Sequence, residues 1–498
     1  MLSTILPDQM QQLERQWMQQ FHVPAILLME EAARGVTASI SRIAVKEKPV
    51  LFLCGPGANG GDGYAAARQW KLLGGRSMIA ELSPSSHPDA SIMRTLALQC
   101  SIPVLQLQPS ASLPECCLIV DSLFGTGLSR PVTGKLPDLF ARVRSSGIPV
   151  LAVDIPSGLS AETGEVLGCV MPAVETVTFH RPKQGFYLRQ GPSVCGRITV
   201  HSILIPPVYG SFPGLSVLEA EDLDACLPAR DPAGYKGTFG HIVILAGSPG
   251  MAGAGIMCAR AALRAGAGLV TILCRQELLP IFQTAVPSAM CAVLPMNSGV
   301  YTAEALDTCR SMLSRATCAV IGCGIGTDEA MIPLLSLFAS LTCPVIYDAD
   351  ALTLLARHPE ITLPASSLLT PHPGEAARLL DCTAKEITQD PLSALQALHD
   401  RFGCALILKN ACSLMHAGGK TAVQPFPSPA LARGGSGDML CGFLAAIISR
   451  RHESSPSLLS LQCAVYLHAR AGLAAAEEVG EDAATCEDIL RHFRLRHA

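Results

Sequence analysis

Absences narrow this 498-residue chain before any motif does. Only 16% of its residues are charged, its net charge is −4, and it has no long basic run. That balance implies neither nucleic acid nor an anionic membrane surface as a partner. It has no stretch of about 18 apolar residues, so no membrane-spanning helix is expected. Met1 to Gln20 carries Asp8, Glu14 and Arg15, without a basic start and an apolar core, so no secretory leader is expected. None of the 20 cysteines forms a CxxC pair, and only Cys116 and Cys117 are adjacent. Most of the others lie inside apolar runs. They read as small core hydrophobes in a reducing cytoplasm, with no clustered zinc ligands.

What is present is core material. Hydrophobic residues make up 49% of the chain, which argues for large buried cores and against disorder. The length suits two large α/β domains. Residues 8–45 have helical spacing in Leu13, Trp17, Phe21, Leu27, Leu28 and Ala32, with Pro24 separating two helices. Apolar runs at 50–54, 77–82, 118–121, 149–154, 174–179 and 197–203 then read as strands, with helices at 64–73 and 136–145. Continuous apolar strands alternating with helices predict a parallel sheet covered on both faces. Pro206, Pro207, Tyr209, Gly210, Pro213 and Gly214 break the pattern and form the best linker. A second series follows, with strands at 241–246, 269–274, 318–322, 345–348, 367–370 and 405–409. Its helices include 253–266, 374–380 and 437–449.

The first chemical signal is the run Cys54-Gly-Pro-Gly-Ala-Asn-Gly-Gly-Asp-Gly63, which follows a strand and opens a helix. Glycines there let the backbone approach a ligand, and free amides at a helix start suit a phosphate. A tight connection needs similar residues. Two more polar loops follow apolar strands, however. Asp121 leads into Ser-Leu-Phe-Gly-Thr-Gly127, and Asp154 leads into Ile-Pro-Ser-Gly158. Open α/β sheets place their ligands at such strand ends, although each aspartate could also serve as a local turn residue.

The second signal is Arg433-Gly-Gly-Ser-Gly-Asp438, which precedes an apolar helix. Amides at that helix start can hold charge developing on a transferred phosphoryl group, and an adjacent carboxylate can accept a hydroxyl proton. Helix capping is the simpler alternative. Upstream lie Lys236-Gly237, Ala246-Gly-Ser248, Gly253-Ala254, Gly322-Cys-Gly-Ile-Gly326, Asp348-Ala-Asp-Ala-Leu352 and Thr370-Pro-His-Pro-Gly-Glu375. Asp348 and Asp350 also read as strand-end caps and are not assigned as metal ligands.

Residues 8–210, with Leu28-Met29-Glu30 and Arg181-Pro-Lys183-Gln-Gly185, resemble the NAD(P)HX epimerase family, the YjeF N-terminal domain. Residues 225–498 resemble the ribokinase-like ADP/ATP-dependent NAD(P)H-hydrate dehydratases. The resemblance implies an α/β chain, with a Rossmann-like parallel-sheet domain over 1–215 followed by a ribokinase-like domain over 225–498. It implies that Asn59, Asp121 and Ser157 hold potassium. The hydrated nucleotide would meet Ala58, Asn59, Gly60, Gly61 and Asp62, the loop of Gly125, Thr126, Gly127, Leu128, Ser129, Arg130 and Pro131, and a catalytic Asp154.

In the second domain Ala254, Gly326, His372 and the catalytic Asp438 would contact the hydrate. Lys409, Asn410, Ala411, Cys412, Ser413 and Gly437 would contact the nucleotide. The chain departs from the family at Glu31, Ala58, Tyr235, Asn410, Ser428 and Ala430. The implied substrates are NADHX, NADPHX and ADP or ATP, with magnesium accompanying the nucleotide. The fused arrangement favours ADP. A cytoplasmic homo-oligomer is expected. A small-molecule kinase shares Asp438 but does not explain Asn59, Asp121 and Asp154 together. A non-catalytic nucleotide sensor does not explain the acids in both halves.

Overall fold

The computed structural model describes residues 1–85, 87–107, 112–206, 209–210, 212–227 and 229–495, so Pro207 of the linker stretch lies outside the described residues. The chain divides into two compact units, Leu2–Leu215 and Ser216–Ala498, with Met1 joined to the second.

In the first unit, the apolar runs form a seven-stranded sheet in which every pair is parallel. From one edge its order is Val104–Gln106, Arg76–Glu81, Pro49–Cys54, Leu118–Ser122, Val150–Val153, Glu175–Phe179 and Arg197–His201. Alternation sends successive residues to opposite faces. Val50, Phe52 and Cys54 join one buried cluster with Leu13, Leu28 and Tyr64. Leu51 and Leu53 join another with Leu139, Phe140 and Val143. With both faces covered, the central strands are apolar at nearly every position. The strand order reverses between Pro49–Cys54 and Leu118–Ser122, where the connections diverge and leave a crevice at the strands' carboxyl ends.

In the second unit, strands run in the order Ser216–Val217, Lys420–Val423, Leu414–Ala417, Ala405–Leu408, Ser367–Leu369, Val345–Tyr347, Cys318–Ile321, His241–Leu245, Leu269–Cys274 and Met290–Val293. Pairing is parallel from Ala405–Leu408 to Met290–Val293, and antiparallel in the hairpin built on Leu414–Ala417 and Lys420–Val423. Helix Ser436–Arg450 is apolar on all sides because it is buried along most of its length, packed on helix Ala252–Arg264.

Both parallel α/β sheets agree with the sequence reading, and local boundaries differ instructively. The helix expected at 64–73 is Ala58–Leu72, so the glycine run is its first turns and not a preceding loop. Glycine is needed there for closeness. A Cβ on Gly60 would stand 1.9 Å from the Gly55 carbonyl oxygen, and one on Gly55 1.9 Å from that of Leu123. The linker stretch runs directly into a short strand, Ser216–Val217, of the second sheet. The hairpin and the strands Val104–Gln106 and Met290–Val293 were not anticipated. No helix among the described residues is long and apolar enough to cross a membrane. All 20 cysteines are free.

Candidate active sites

The first site gathers around Asp121, fully buried at the carboxyl end of its strand. The Ser157 hydroxyl donates to Asp121 Oδ1 at 2.6 Å, and the Ser157 backbone N–H to Oδ2 at 2.8 Å. The same hydroxyl accepts the Phe124 N–H at 3.0 Å, which ties down the start of the 125–131 loop. Burial pushes the Asp121 carboxyl up to about 6, against the pull of these hydrogen bonds. Asn59 packs beside Gly125, and its Nδ2 is buried without a hydrogen-bond partner. Exchanging the oxygen and nitrogen of that amide would put an acceptor there. A carboxylate, a hydroxyl and an amide oxygen suit a hard cation, so Asn59, Asp121 and Ser157 fit potassium by donor chemistry. Gly127, Ser129, Arg130 and Pro131 form an exposed rim, while Ala58 opens the helix that carries buried Gly60, Gly61 and Asp62.

A second cluster lies around Asp154, which follows strand Val150–Val153. Asp154 takes a left-handed φ of +64°, a strained state for any residue but glycine. Its carboxylate pairs with Lys183 Nζ at 2.8 Å and accepts the Thr178 hydroxyl at 3.0 Å. Lys183 is 1% exposed and also donates to the Phe179 carbonyl. Sequence reasoning quoted Lys183 as part of a motif but gave it no role. Nor did it assign Glu14, which lies on the inward face of helix Pro7–Phe21 beside Met10 and Leu13. The preceding residue Ile5 bridges to Lys183, bringing this helix over the lysine. Burial pushes the half-buried Glu14 up to about 7, Lys183 draws it back, and Asp154 adds to the rise. Burial, Asp154 and Glu14 hold the Asp62 carboxyl well above the usual range. Asp154 and Glu14 thus share one buried lysine, and Asp62 adjoins the two acids, although all lie far apart in sequence.

In the second unit, the turn 434–437 stands between two cavities. Ser436 and Gly437 line one of about 530 Å³, together with His372, Lys409, Asn410, Ala411 and Ser413. Gly434, Gly435 and Asp438 line another of about 450 Å³, together with Ala254. Arg433 borders both. Gly435 caps helix Ser436–Arg450 at φ +94°, a conformation that glycine adopts without strain. Most residues assigned to the nucleotide therefore line the first cavity, while Ala254 and Asp438 line the second. His372 lies with the nucleotide group. Cys412 is buried behind the first cavity's wall residues, and Gly326 borders neither cavity. Gln424, Ser428 and His468 also line the first cavity, and sequence reasoning gave them no role there. Burial pushes His468 down to about 3, so it stays neutral.

Lys409 Nζ pairs with Asp348 Oδ1 at 2.7 Å and stands 3.8 Å from Glu375. The Thr370 hydroxyl donates to the same Asp348 oxygen at 2.7 Å. Burial alone would raise Asp348, but Lys409, Thr370 and the Cys441 thiol hold it below the usual carboxylate range. Asp350 Oδ2 accepts the Gly326 N–H at 2.9 Å and fixes the 322–326 loop. Between these acids Ala349 has φ +47° and ψ −113°. Burial and the nearby Asp348 charge raise Asp438, while Cys323 and Lys409 pull it back. A raised pKa makes the Asp438 carboxylate a stronger proton acceptor than an exposed aspartate. His372 caps helix Pro373–Leu380, its Nδ1 accepting the Gly374 N–H at 2.9 Å. Its side chain is half exposed at the cavity, and its Nε2 stands 3.5 Å from Glu375 Oε1.

Two families match the chain. Residues 25–185 match the family described as YjeF-related protein N-terminus, and residues 242–493 match NAD(P)H-hydrate dehydratase. The bifunctional NAD(P)H-hydrate repair enzyme of Coxiella burnetii is 34% identical over 452 residues, 90% of this chain and 89% of that one. The enzyme of the same name from Escherichia coli is 36% identical over 80% of this chain and 76% of its own. A ribokinase-like superfamily protein from Enterococcus faecalis shares the fold of the second unit. Its TM-score is 0.51 at 24% identity, covering 57% of this chain and 95% of that one. Matched along nearly its whole length, the chain belongs to the family of bifunctional NAD(P)H-hydrate repair enzymes.

Proposed function

We propose that the chain repairs hydrated NADH and NADPH by two reactions, one in each unit. The first unit interconverts the R and S hydrates. The second transfers a phosphoryl group from ADP or ATP to the hydroxyl of the S hydrate, then eliminates phosphate to restore the reduced nicotinamide. The observation that carries this is the turn 434–437, shared by two cavities, with Lys409 on one side and Asp438 on the other. A nucleotide in the larger cavity would present its terminal phosphate to Lys409 and to the amides at the start of helix Ser436–Arg450. Asp438 would accept the hydroxyl proton of a hydrate in the smaller one. Magnesium enters with the nucleotide's phosphates, since such ions are held largely by phosphate oxygens.

In the first unit, Asp154 would serve proton movement at the ring, positioned by Lys183 and Thr178. Potassium held by Asn59, Asp121 and Ser157 would supply fixed positive charge to an anionic substrate. The proposed setting is a cytoplasmic homo-oligomer. Twenty unpaired cysteines fit a reducing compartment, and sedimentation measures the assembly.

The test supplies mixed hydrates with ADP or ATP and follows the return of reduced-nicotinamide absorbance. Repair restores it fully, and the faster nucleotide is the preferred donor. A stable phosphate ester would make the protein a kinase, and no turnover would make it a sensor. In Asp154→Asn, consumption stops with the R hydrate left over, as read by chiral chromatography. Equal consumption of both epimers by that variant would sink the division of labour.

A further inference from the structure

Cys323, Asp348 and Cys441 present their ligand atoms within 4.8 Å of one another, and all three residues are buried. Among the described residues this is the only convergent group of three or more His, Cys, Asp or Glu. The three come from the 322–326 loop, the end of strand Val345–Tyr347 and helix Ser436–Arg450. A fourth group stands behind them. Cys258, on helix Ala252–Arg264, is fully buried with its thiol in hydrogen-bonding contact with Cys323. The contacts run as a chain from Cys258 through Cys323 and Cys441 to Asp348. The sequence showed no such cluster because these residues are 25 to 183 positions apart.

We propose that Cys323, Cys441 and Asp348, with Cys258 as fourth ligand, form a binding site for a thiophilic divalent cation of the zinc class. Tetrahedral zinc–thiolate sites have sulfurs about 3.8 Å apart, from bonds of about 2.3 Å. Cys323, Asp348 and Cys441 already lie within 4.8 Å of one another, and Cys258 would swing in from behind Cys323. Asp348 Oδ1 is taken by Thr370 and Lys409. Its Oδ2 faces Gly437, where an added Cβ would stand 3.6 Å away, and is the oxygen open to a metal. Two or three thiolates beside one carboxylate select zinc or cadmium over magnesium, which prefers oxygen ligands. An oxidative switch is a poorer use of the same residues. The Cys323 and Cys441 thiols are both fully buried, and thiols shut away from solvent react slowly with oxidants.

Metal on Oδ2 would neutralise Asp348, loosen its hold on Lys409 and pin helix Ser436–Arg450 to the 322–326 loop. It therefore inhibits the second unit's reaction and leaves the first unit's unchanged. The binding measurement is independent of the proposed function, and the activity measurement rests on it.

The probe is cadmium alone, titrated into the full-length chain against a competing chelator. Expected are one tightly held equivalent, a thiolate-to-cadmium charge-transfer absorption, and at least a tenfold fall in hydrate dehydration with unchanged epimerisation. Cys441→Ser and Cys441→Ala are each compared with their own metal-free rates. Both should lose the absorption and the inhibition, whereas Cys226→Ala, outside the cluster, should keep them. Failure of the wild type to bind a stoichiometric equivalent overturns the site. So do an absorption and inhibition that survive in both Cys441 variants. Binding without inhibition would keep the metal site and remove its effect on the reaction.

Discussion

The two sites manage charge in opposite ways. Asp154 and Glu14 crowd one buried ammonium with Asp62 close to both acids, and Glu14 and Asp62 are pushed toward protonation. Around Asp438, backbone amides at a helix start and the paired Lys409 prepare for added negative charge. The first arrangement stores protons near neutrality, which suits moving a proton at a ring. The second supplies fixed dipoles and a cation, which suits phosphoryl transfer. Substitutions that act on one pattern should leave the other intact.

The sharpest break is Asp438→Asn. An amide cannot take the hydroxyl proton, so dehydration should fall by about 10²–10⁴-fold while epimerisation continues. Near-normal nucleotide-dependent turnover would remove Asp438 from the chemistry. Next comes Lys183→Met, which leaves Asp154 buried beside two acids. Breaking a buried pair costs about 3–5 kcal/mol. The first unit should lose that much stability at pH 8 and less at pH 5, where Glu14 carries a proton. Urea unfolding at both values measures it, and equal losses would mean that Glu14 does not share the lysine with Asp154.

Asp121→Ala should weaken the potassium response of epimerisation by about 10–100-fold, the scale of losses seen when groups supporting a metal site are removed. Dehydration of pure S hydrate should not change. Unaltered potassium dependence would place the ion elsewhere. The smallest effect belongs to Glu14→Gln. Glu14 rises from 4.5 to about 7 in the fold. Its contribution to stability is therefore fully present below about pH 4.5 and is lost as pH rises through 7. Above that point glutamine should be the more stable residue, by about 1 kcal/mol after allowing for partial exposure. Melting curves at pH 5 and pH 8 should show the advantage only at pH 8.

The contrast also explains what the sequence made legible. Asp438 and its glycines are contiguous, and Asp121 and Asp154 end uniformly apolar strands, so pattern and position pointed to them. The cluster of Glu14, Asp62, Asp154 and Lys183 has no local signature, because the sheet and the Ile5 bridge to Lys183 assemble it. The Leu414–Ala417 and Lys420–Val423 hairpin did leave a signal. Gly418 and Gly419 both have positive φ, as a two-residue hairpin turn requires. Glycines in the first turns of Ala58–Leu72 misled in the other direction. They serve close packing against neighbouring backbone, which a propensity rule counts only as helix breaking.

The kinked backbone at Ala349 bears on how the enzyme can change over time. One strained turn sends Asp348 to Lys409 and Asp350 to Gly326. One acid thus supports the proposed nucleotide pocket and the other the 322–326 loop. A mutation that relaxes the turn alters both supports at once, so the Lys409 pair and the 322–326 loop change together. Lineages that exchange ADP for ATP should accordingly carry compensating changes in the 322–326 loop, though that loop borders neither cavity.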